Sequence, residues 1–310
     1  MLAVGVDIGG TKIAAGVVDE DGRILVQDRR DTSPRDADEI NRSVVEIVDG
    51  FAESYEFEAI GIAAAGFVSS DRAHMVFGPN IAAWRDYPLA EKVRALLGRD
   101  ATVVVENDAN AAGWAEFVYG AGRETSTMVM LTIGTGLGAA MVVDGRLVRG
   151  AYGFAAELGH MRVVPNGHLC GCGHRGCWEQ YASGSALVRE ARLVAMENPE
   201  RTAGILAQAG GSAEHLTGPH VTAAAVEGDT LAINLLEELG TRIGEGCASL
   251  AAVLDPEIFI IGGGVVAAGD LVLEPARDAY RKALPAGGHR PVAPIVAAAM
   301  GNDAGIVGAA

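Results

Sequence analysis

The most specific chemical pattern in the sequence is a cluster of three cysteines. Cys170, Cys172 and Cys177 lie so close together in sequence that a disulfide between the first two would be strained, and such spacing is typical of metal binding. Three thiolates and one histidine form a closed tetrahedral zinc site with no position for an activated water. We therefore expect a structural zinc ion. Three histidines are near enough in sequence to supply the fourth ligand: His160, His168 and His174.

A second group of chemically capable residues is Glu106-Asn107-Asp108, which ends a predicted strand and begins a predicted helix. Aspartate at such a junction commonly serves as a helix N-cap. The same carboxylate could instead accept a proton from a substrate hydroxyl, and Asn107 could orient that hydroxyl. The residues alone leave both interpretations of Asp108 open.

Three turns rich in glycine and threonine follow apolar strands, at Gly9–Thr11, Gly134–Gly136 and Gly262–Gly264. Glycine lets backbone N–H groups approach an anion closely, and threonine adds a hydroxyl donor. Neither the Walker A pattern nor G-x-G-x-x-G occurs, so the P-loop and Rossmann classes lose support. Lys12 follows the first turn, and Asp7 precedes it, either as a cap of that turn or near the metal ion of a nucleotide.

The elements that must position these residues include an internal repeat. Met128–Leu147 echoes Leu2–Leu25: an apolar strand, a Gly/Thr turn, an Ala-rich strand, then Asp-Gly-Arg and a further strand. We interpret this as a duplication, and two duplicated sheet domains would leave a cleft suited to a ligand. Periodicity and turn residues predict further elements: strands at Ala59–Ala64, Thr102–Glu106 and Ile258–Ile261, and helices at Asp38–Ser54, Leu89–Leu97, Ala109–Tyr119, Gly184–Glu197 and Leu231–Leu254.

Composition excludes several classes of protein. Hydrophobic residues make up 49% of the 310 residues and charged residues 21%, which is unlike a disordered, collagen-like or coiled-coil chain. The formal charge of −16 repels nucleic acid and anionic membranes. No apolar run reaches the roughly 18 residues of a membrane span, so we expect a cytoplasmic protein with neither partner. Cys247, alone in an apolar helical stretch, is expected to be buried.

Several motifs together resemble the ROK family of repressors, open-reading-frame proteins and sugar kinases, within the actin-like ATPase superfamily. The resemblance spans essentially the whole chain, and residues 177–184 are most similar to the bacterial ATP-dependent glucokinases of the family. The motifs are DIGGTK at 7–12, END at 106–108, GTG at 134–136, ExGH at 157–160, CGCGxxGCxE at 170–179 and GGG at 262–264.

The resemblance implies a role for each matching residue. Asp108 is implied as the general base for the sugar 6-hydroxyl. The sugar-binding residues would be Gly66, Asn80, Asn107, Asp108, Glu157, His160 and Glu179. The nucleotide-binding residues would be Asp7, Gly9, Gly10, Thr11, Lys12, Gly134, Thr135, Gly136, Gly263 and Gly264. The zinc ligands would be His160, Cys170, Cys172 and Cys177, which decides against His168 and His174.

The expected fold is therefore α/β, with duplicated actin-like ATPase (ribonuclease H-like) domains and a cleft between them. Residues 1–109 would form a small domain to which a helix at 298–310 returns, and residues 110–297 a large domain that carries the zinc loop. Homodimers or homotetramers are implied by the family.

The expected reaction is phosphorylation of glucose at the 6-hydroxyl by ATP with Mg²⁺, giving glucose 6-phosphate and ADP. The alternatives are a kinase for another sugar (fructose, mannose, allose or N-acetylmannosamine) and a sugar-sensing regulator without catalysis. The negative charge, the presence of Asp108 and the lack of a DNA-binding segment before Asp7 disfavour the regulator. Polyphosphate is a less favoured donor than ATP because no basic channel is evident.

Overall fold

Thirteen strands and nine α-helices make up the computed structural model, which describes residues 1–310. The strands are β1 (Ala3–Ile8), β2 (Lys12–Val18), β3 (Ile24–Asp31), β4 (Ala59–Ala64), β5 (Phe67–Val68), β6 (Met75–Phe77), β7 (Arg85–Tyr87), β8 (Thr102–Asn107), β9 (Met128–Ile133), β10 (Leu137–Val143), β11 (Arg146–Leu147), β12 (Ile258–Gly262) and β13 (Ile295–Ala297). The helices are α1 (Ala37–Ala52), α2 (Leu89–Leu97), α3 (Asp108–Val118), α4 (Gly184–Glu197), α5 (Ala203–Gln208), α6 (Gly218–Val226), α7 (Thr230–Leu254), α8 (Asp270–Ala283) and α9 (Ala304–Ala309).

The two five-stranded sheets have the same strand arrangement. The first has the order β3-β2-β1-β4-β8, in which β1 to β3 are antiparallel while β1, β4 and β8 are parallel. The second has the order β11-β10-β9-β12-β13, in which β9, β12 and β13 are parallel. This correspondence agrees with the repeat seen in the sequence, and the expected α/β class is confirmed. A third, small sheet has the order β5-β6-β7.

Local sequence explains how the elements of the first sheet are bounded. Asp36 caps α1 by accepting a hydrogen bond from the Glu39 N–H at 3.0 Å, and the apolar side of α1 packs into the core. Gly98, with φ of 61°, ends α2 in the left-handed conformation, which glycine adopts without steric cost. The strands β1, β4 and β8 supply mostly buried aliphatic side chains.

The C-terminal helix α9 lies directly on the first sheet because glycines leave room for it. A Cβ on Gly5 in β1 would lie 1.9 Å from the Ile306 carbonyl oxygen, and one on Gly61 in β4 would lie 1.7 Å from that of Ala309. On the other side, a Cβ on Gly308 would lie 1.7 Å from the carbonyl oxygen of Ala111 in α3. Helix α9 therefore holds α3 at a fixed distance from the sheet.

Packing groups the chain into two compact units. One comprises residues 1–126, 140–156 and 299–310, and the other comprises residues 127–139 and 157–298. The domain limits expected from the sequence, 1–109 with 298–310 and 110–297, stay a prediction. None of the helices is both long and apolar enough to span a membrane.

Candidate active site

Two carboxylates lie at the carboxyl end of the first sheet. Asp7 is the penultimate residue of β1, and Asp108 directly follows β8. Burial and then the nearby charge of Asp108 raise the pKa of Asp7 to about 6, while Lys12 opposes the shift. Burial also raises the pKa of Asp108, against the hydrogen bond that its carboxylate accepts from the Ala109 N–H at 2.9 Å. The site thus holds two acidic groups that ionise less readily than usual.

The helix cap at this junction is Asn107 and not Asp108. The Asn107 side-chain oxygen accepts a hydrogen bond from the Asn110 N–H at 3.0 Å, and its Nδ2 donates to the Gly66 carbonyl oxygen at 3.0 Å. The interpretation of Asp108 as an N-cap is therefore wrong, because Asp108 is already the first helical residue. Its carboxylate remains available for chemistry.

Gly66 lies beside Asn107, and Asn80 lies beside the first Gly/Thr turn. Gly66 has φ of 136°, and a Cβ there would lie 2.3 Å from the Phe77 carbonyl oxygen, so no side chain fits. A Cβ on Gly10 would lie 3.2 Å from that of Asn80, which puts Asn80 against the first Gly/Thr turn.

The first turn is held by its own backbone and by Thr32. Its Gly9 N–H donates to the Lys12 carbonyl oxygen at 2.9 Å, and Thr32 Oγ1 donates to the Gly9 carbonyl oxygen at 2.8 Å. Thr11 and Lys12 are exposed. The turn therefore does not depend on the Asp7 carboxylate as a cap.

The three clustered cysteines meet one histidine in the second unit. The ligand atoms of His160, Cys170, Cys172 and Cys177 all lie within 4.8 Å of one another. Cys172 Sγ and Cys177 Sγ are 3.6 Å apart, and Cys170 Sγ is 3.6 Å from His160 Nδ1. A tetrahedral ion with Zn–S bonds of about 2.3 Å would space its sulfur ligands about 3.8 Å apart, so the donor set and spacing suit zinc.

The alternative fourth ligand His168 lies elsewhere. Its ring is 5.3 Å from that of Tyr181, and its Nε2 is 3.9 Å from Glu190. The group of potential metal ligands includes His160 and neither His168 nor His174. His160 ends a short 3₁₀ turn, Leu158–His160, that follows the exposed Glu157.

Glu179 connects the cysteine cluster with the second Gly/Thr turn. The Cys170 thiol donates to Glu179 Oε1 at 2.9 Å, and a Cβ on Gly136 would lie 3.0 Å from Glu179 Oε2. The neighbouring Trp178 is buried and donates from Nε1 to the Arg242 carbonyl oxygen in α7 at 2.9 Å. Glu179 is thus anchored on one side by the core and on the other by the cluster.

A cavity of about 900 Å³ opens beside the second turn, within the second unit. Gly134 and Thr135 line it, as does Gly264, and the start of α4 is tied to the turn by the Gly184 N–H, which donates to the Gly134 carbonyl oxygen at 2.8 Å. Of the other predicted nucleotide residues in this unit, Gly136 and Gly263 are absent from the lining. Gly263 instead packs where a Cβ would lie 2.5 Å from the Ile133 carbonyl oxygen.

Sequence reasoning missed most of the cavity wall. Its apolar part comes from α4, α6 and α7 and from the segment after β12, including Leu187, Met196, Leu216, Leu236 and Val265, and its charged residues are Arg189 and Arg192. The regular apolar spacing of α4 predicted a helix but gave no sign that part of its apolar face borders a cavity. This volume and largely apolar lining suit an organic ligand of nucleotide size.

Known proteins share this sequence and fold. The sequence model of the ROK family matches residues 3–310. Glucokinase from Streptomyces coelicolor is 48% identical over 309 residues, covering 100% of this chain and 96% of that protein. Glucokinase from Thermotoga maritima is 34% identical, covering 99% and 95%.

A solved structure is similarly close. The crystal structure of a ROK family glucokinase from Streptomyces griseus, in complex with glucose and AMPPNP, has a TM-score of 0.90 and 49% identity. The alignment covers 100% of this chain and 98% of that one. The resemblance read from the motifs is confirmed: the chain belongs to the ROK family.

Proposed function

We propose that this protein transfers the γ-phosphoryl group of ATP to the 6-hydroxyl of glucose, giving glucose 6-phosphate and ADP. The observation that carries the proposal is Asp108, a carboxylate with a raised pKa that follows β8 and leaves helix capping to Asn107. The glucokinases of two bacteria that align over nearly the whole chain support glucose as the acceptor. The Streptomyces griseus glucokinase in complex with glucose and AMPPNP supports ATP as the donor.

Asp108 acts as the general base. A carboxylate whose pKa lies above its usual range is a better proton acceptor than an ordinary aspartate. It takes the proton of the attacking hydroxyl as the oxygen bonds to phosphorus. Asn107 and Gly66, which are hydrogen-bonded to each other, form the wall beside it, with Asn80 close to the first turn.

The nucleotide binds to the second turn and to the adjoining cavity. Backbone N–H groups of Gly134 to Gly136 and the Thr135 hydroxyl suit phosphate oxygens, while the apolar lining suits the base. On the first unit, the exposed Thr11 and Lys12 suit phosphate oxygens. Phosphoryl transfer requires mainly alignment and neutralisation of charge.

Asp7 is the residue best suited to face Mg²⁺. The charge of Asp108 raises the pKa of Asp7, with Lys12 opposing it, and oxygen donors are what Mg²⁺ prefers. When bound, the ion neutralises phosphate charge. Asp7 would hold it on the side of the first sheet.

Zinc has a structural role in this proposal. The four clustered ligands close the coordination sphere, and the bound ion would fix His160 and the loop that carries the three cysteines. Carboxylate and imidazole groups suit a neutral polyhydroxylated sugar because they accept or bridge hydroxyl hydrogen bonds. Glu157, which precedes the His160 turn, completes the set of sugar-binding residues in this unit.

The test is an assay of sugar-dependent ADP release with Mg-ATP and a panel of glucose, fructose, mannose, allose and N-acetylmannosamine. We expect the highest kcat/KM for glucose and a product that a glucose-6-phosphate dehydrogenase oxidises. A higher kcat/KM for another sugar would replace glucose as the substrate. No release with any sugar, in zinc-loaded protein that binds glucose, would favour the sugar-sensing regulator instead.

A further inference from the structure

We propose that Glu106, held by Arg149, is a positioning residue that sets the place of Asp108. This inference rests on the proposed function, because it deepens the account of the same site. Glu106 is the residue of β8 just before Asn107, and it is only 5% exposed. Burying a carboxylate is costly unless it is hydrogen-bonded and paired with opposite charge, and Glu106 has both kinds of partner.

One oxygen of Glu106 binds both sides of the strand-to-helix junction. Oε1 accepts a hydrogen bond from the Asn107 N–H at 3.1 Å and another from Asn110 Nδ2 at 3.1 Å. Asn107 belongs to the end of β8 and Asn110 to the first turn of α3. The same oxygen therefore determines the angle at which the chain leaves the strand and enters the helix.

Asn107 adds two further bonds to this junction, the cap on the Asn110 N–H and the bond to the Gly66 carbonyl oxygen. Four hydrogen bonds thus fix residues 107 and 110, while the Asp108 carboxylate between them accepts only from its own backbone N–H and that of Ala109. The backbone that carries Asp108 is rigid, and its side chain is left for the substrate.

The other oxygen of Glu106 meets two arginines. Oε2 accepts from Arg149 Nε at 2.6 Å, and Arg72 Nε lies 3.4 Å away. The Arg72 carbonyl oxygen also accepts from the Val105 N–H at 2.8 Å, so Arg72 contacts β8 with both backbone and side chain. Charge-assisted hydrogen bonds of this kind are stronger than neutral ones.

Arg149 also closes the loop that leads to Glu157. Its carbonyl oxygen accepts from the Ala155 N–H at 3.0 Å, so one residue ties the base of this loop to the junction that carries Asp108. Misplacement of a reacting group by about 1 Å can lower the rate about 100-fold. Loss of the Glu106–Arg149 pair should therefore lower kcat in a protein that still folds.

The experiment compares Glu106→Gln with Glu116→Gln as a matched control. Glu116 is also a fully buried carboxylate, on α3, and accepts from the Ala121 and Met300 N–H groups at 2.8 and 2.7 Å, far along the helix from Asp108. We expect Glu106→Gln to lower kcat about 10- to 100-fold with a small change in the KM for glucose. Glu116→Gln should keep kcat within about twofold once folded, by the same reasoning on position.

The pH dependence of kcat/KM distinguishes a positioning role of Glu106 from a purely structural one. Asp108 acts electrostatically on Asp7, as does Lys12. Glu106, two residues before Asp108 in the chain, pairs with Arg72 and Arg149. Removing the charge of Glu106 leaves the two arginines uncompensated, which favours the ionised form of Asp108. The acidic limb of kcat/KM should shift to lower pH in Glu106→Gln and stay in place in Glu116→Gln.

Arg149→Gln keeps the test decisive if Glu106→Gln fails to fold, since the Arg149 side chain is one-third exposed. Arg149→Gln should also lower kcat. The double variant should lose no more kcat than Glu106→Gln alone, because both substitutions break the same Glu106–Arg149 pair. Wild-type kcat and an unmoved pH profile in the folded variants would overturn the inference. A wild-type protein without turnover on any sugar would instead overturn the proposed function.

Discussion

Asp108 lies close enough to Asp7 for its charge to raise the pKa of Asp7, although Asp7 lies in β1, Asp108 follows β8, and β4 separates the two strands. Burial contributes most to the raised pKa of Asp7, which reaches about 6. This pair concentrates negative charge at the carboxyl end of the first sheet. A cation is therefore needed there during turnover, and the pair itself can be tested without a substrate.

Asp7→Asn should stabilise the folded protein at neutral pH. The pKa of Asp7 is about 6 in the folded protein and about 4 in the unfolded chain. Its contribution to folding is fully present below pH 4, where the carboxyl is protonated in both states, and is lost as pH rises through 6. The variant should therefore gain about 1–3 kcal/mol of unfolding free energy at pH 7.5 and almost none at pH 4. Denaturant unfolding at both pH values checks this; an equal gain at both would contradict it. Turnover should fall sharply.

Cys172→Ser should lower both the zinc content and the affinity for glucose. The wild-type protein should carry about one zinc per chain, since four ligands close one site. Cys247→Ala is the matched control, because Cys247 is a buried thiol in α7 outside the cluster, as expected from the sequence. Metal analysis and isothermal titration with glucose measure both effects. Full activity of a zinc-free protein would rule out support of the sugar-binding loop by the metal.

Gly264→Phe should weaken ATP binding and leave glucose binding unchanged. A Cβ on Gly264 meets no protein atom within 4 Å, and the residue lines the large cavity. A phenyl ring there would occupy the cavity space proposed for the nucleotide without displacing protein atoms. Gly264→Ala, with one small group, is the control and should change the KM for ATP far less. Equal weakening of both ligands by the phenylalanine would indicate a general disturbance.

Substitutions at Gly10 and Gly136 are less suited than Gly264→Phe to weakening ATP binding selectively. Side chains there would approach Asn80 and Glu179, two proposed sugar-binding residues. A valine at either position should therefore weaken glucose binding together with ATP binding. Only the packing of distant segments reveals this, since neither neighbour is near its glycine in sequence.

Local patterns predicted the main elements well. The strand Ala59–Ala64, the helix Leu89–Leu97 with Gly98 after it, and the helix Gly184–Glu197 have their expected bounds. Periodicity and end signals suffice where a segment packs one regular face. The short strands β5 to β7 have two or three residues each, too few for a period to appear, and they were not predicted.

The candidate site was predictable in composition and less so in its connections. The cysteine cluster and the Glu106–Asp108 segment are visible because their residues are close in sequence. The choice of Asn107 as the cap depends on backbone angles, because both Asn107 and Asp108 are suitable cap residues. The pairing of Glu106 with Arg149 joins residues 43 apart in sequence, and no local pattern indicates it.

Turnover by Asp108→Asn tests most directly whether Asp108 is the general base. Asn107 provides the helix cap, so the substitution keeps the shape and leaves capping intact while removing the proton acceptor. General-base catalysis contributes about 10²–10⁴-fold in rate. We expect a fall in kcat of that size, with zinc content, melting temperature and glucose affinity near those of the wild type. A variant that retains more than about a tenth of wild-type kcat would contradict the role of Asp108 as the base.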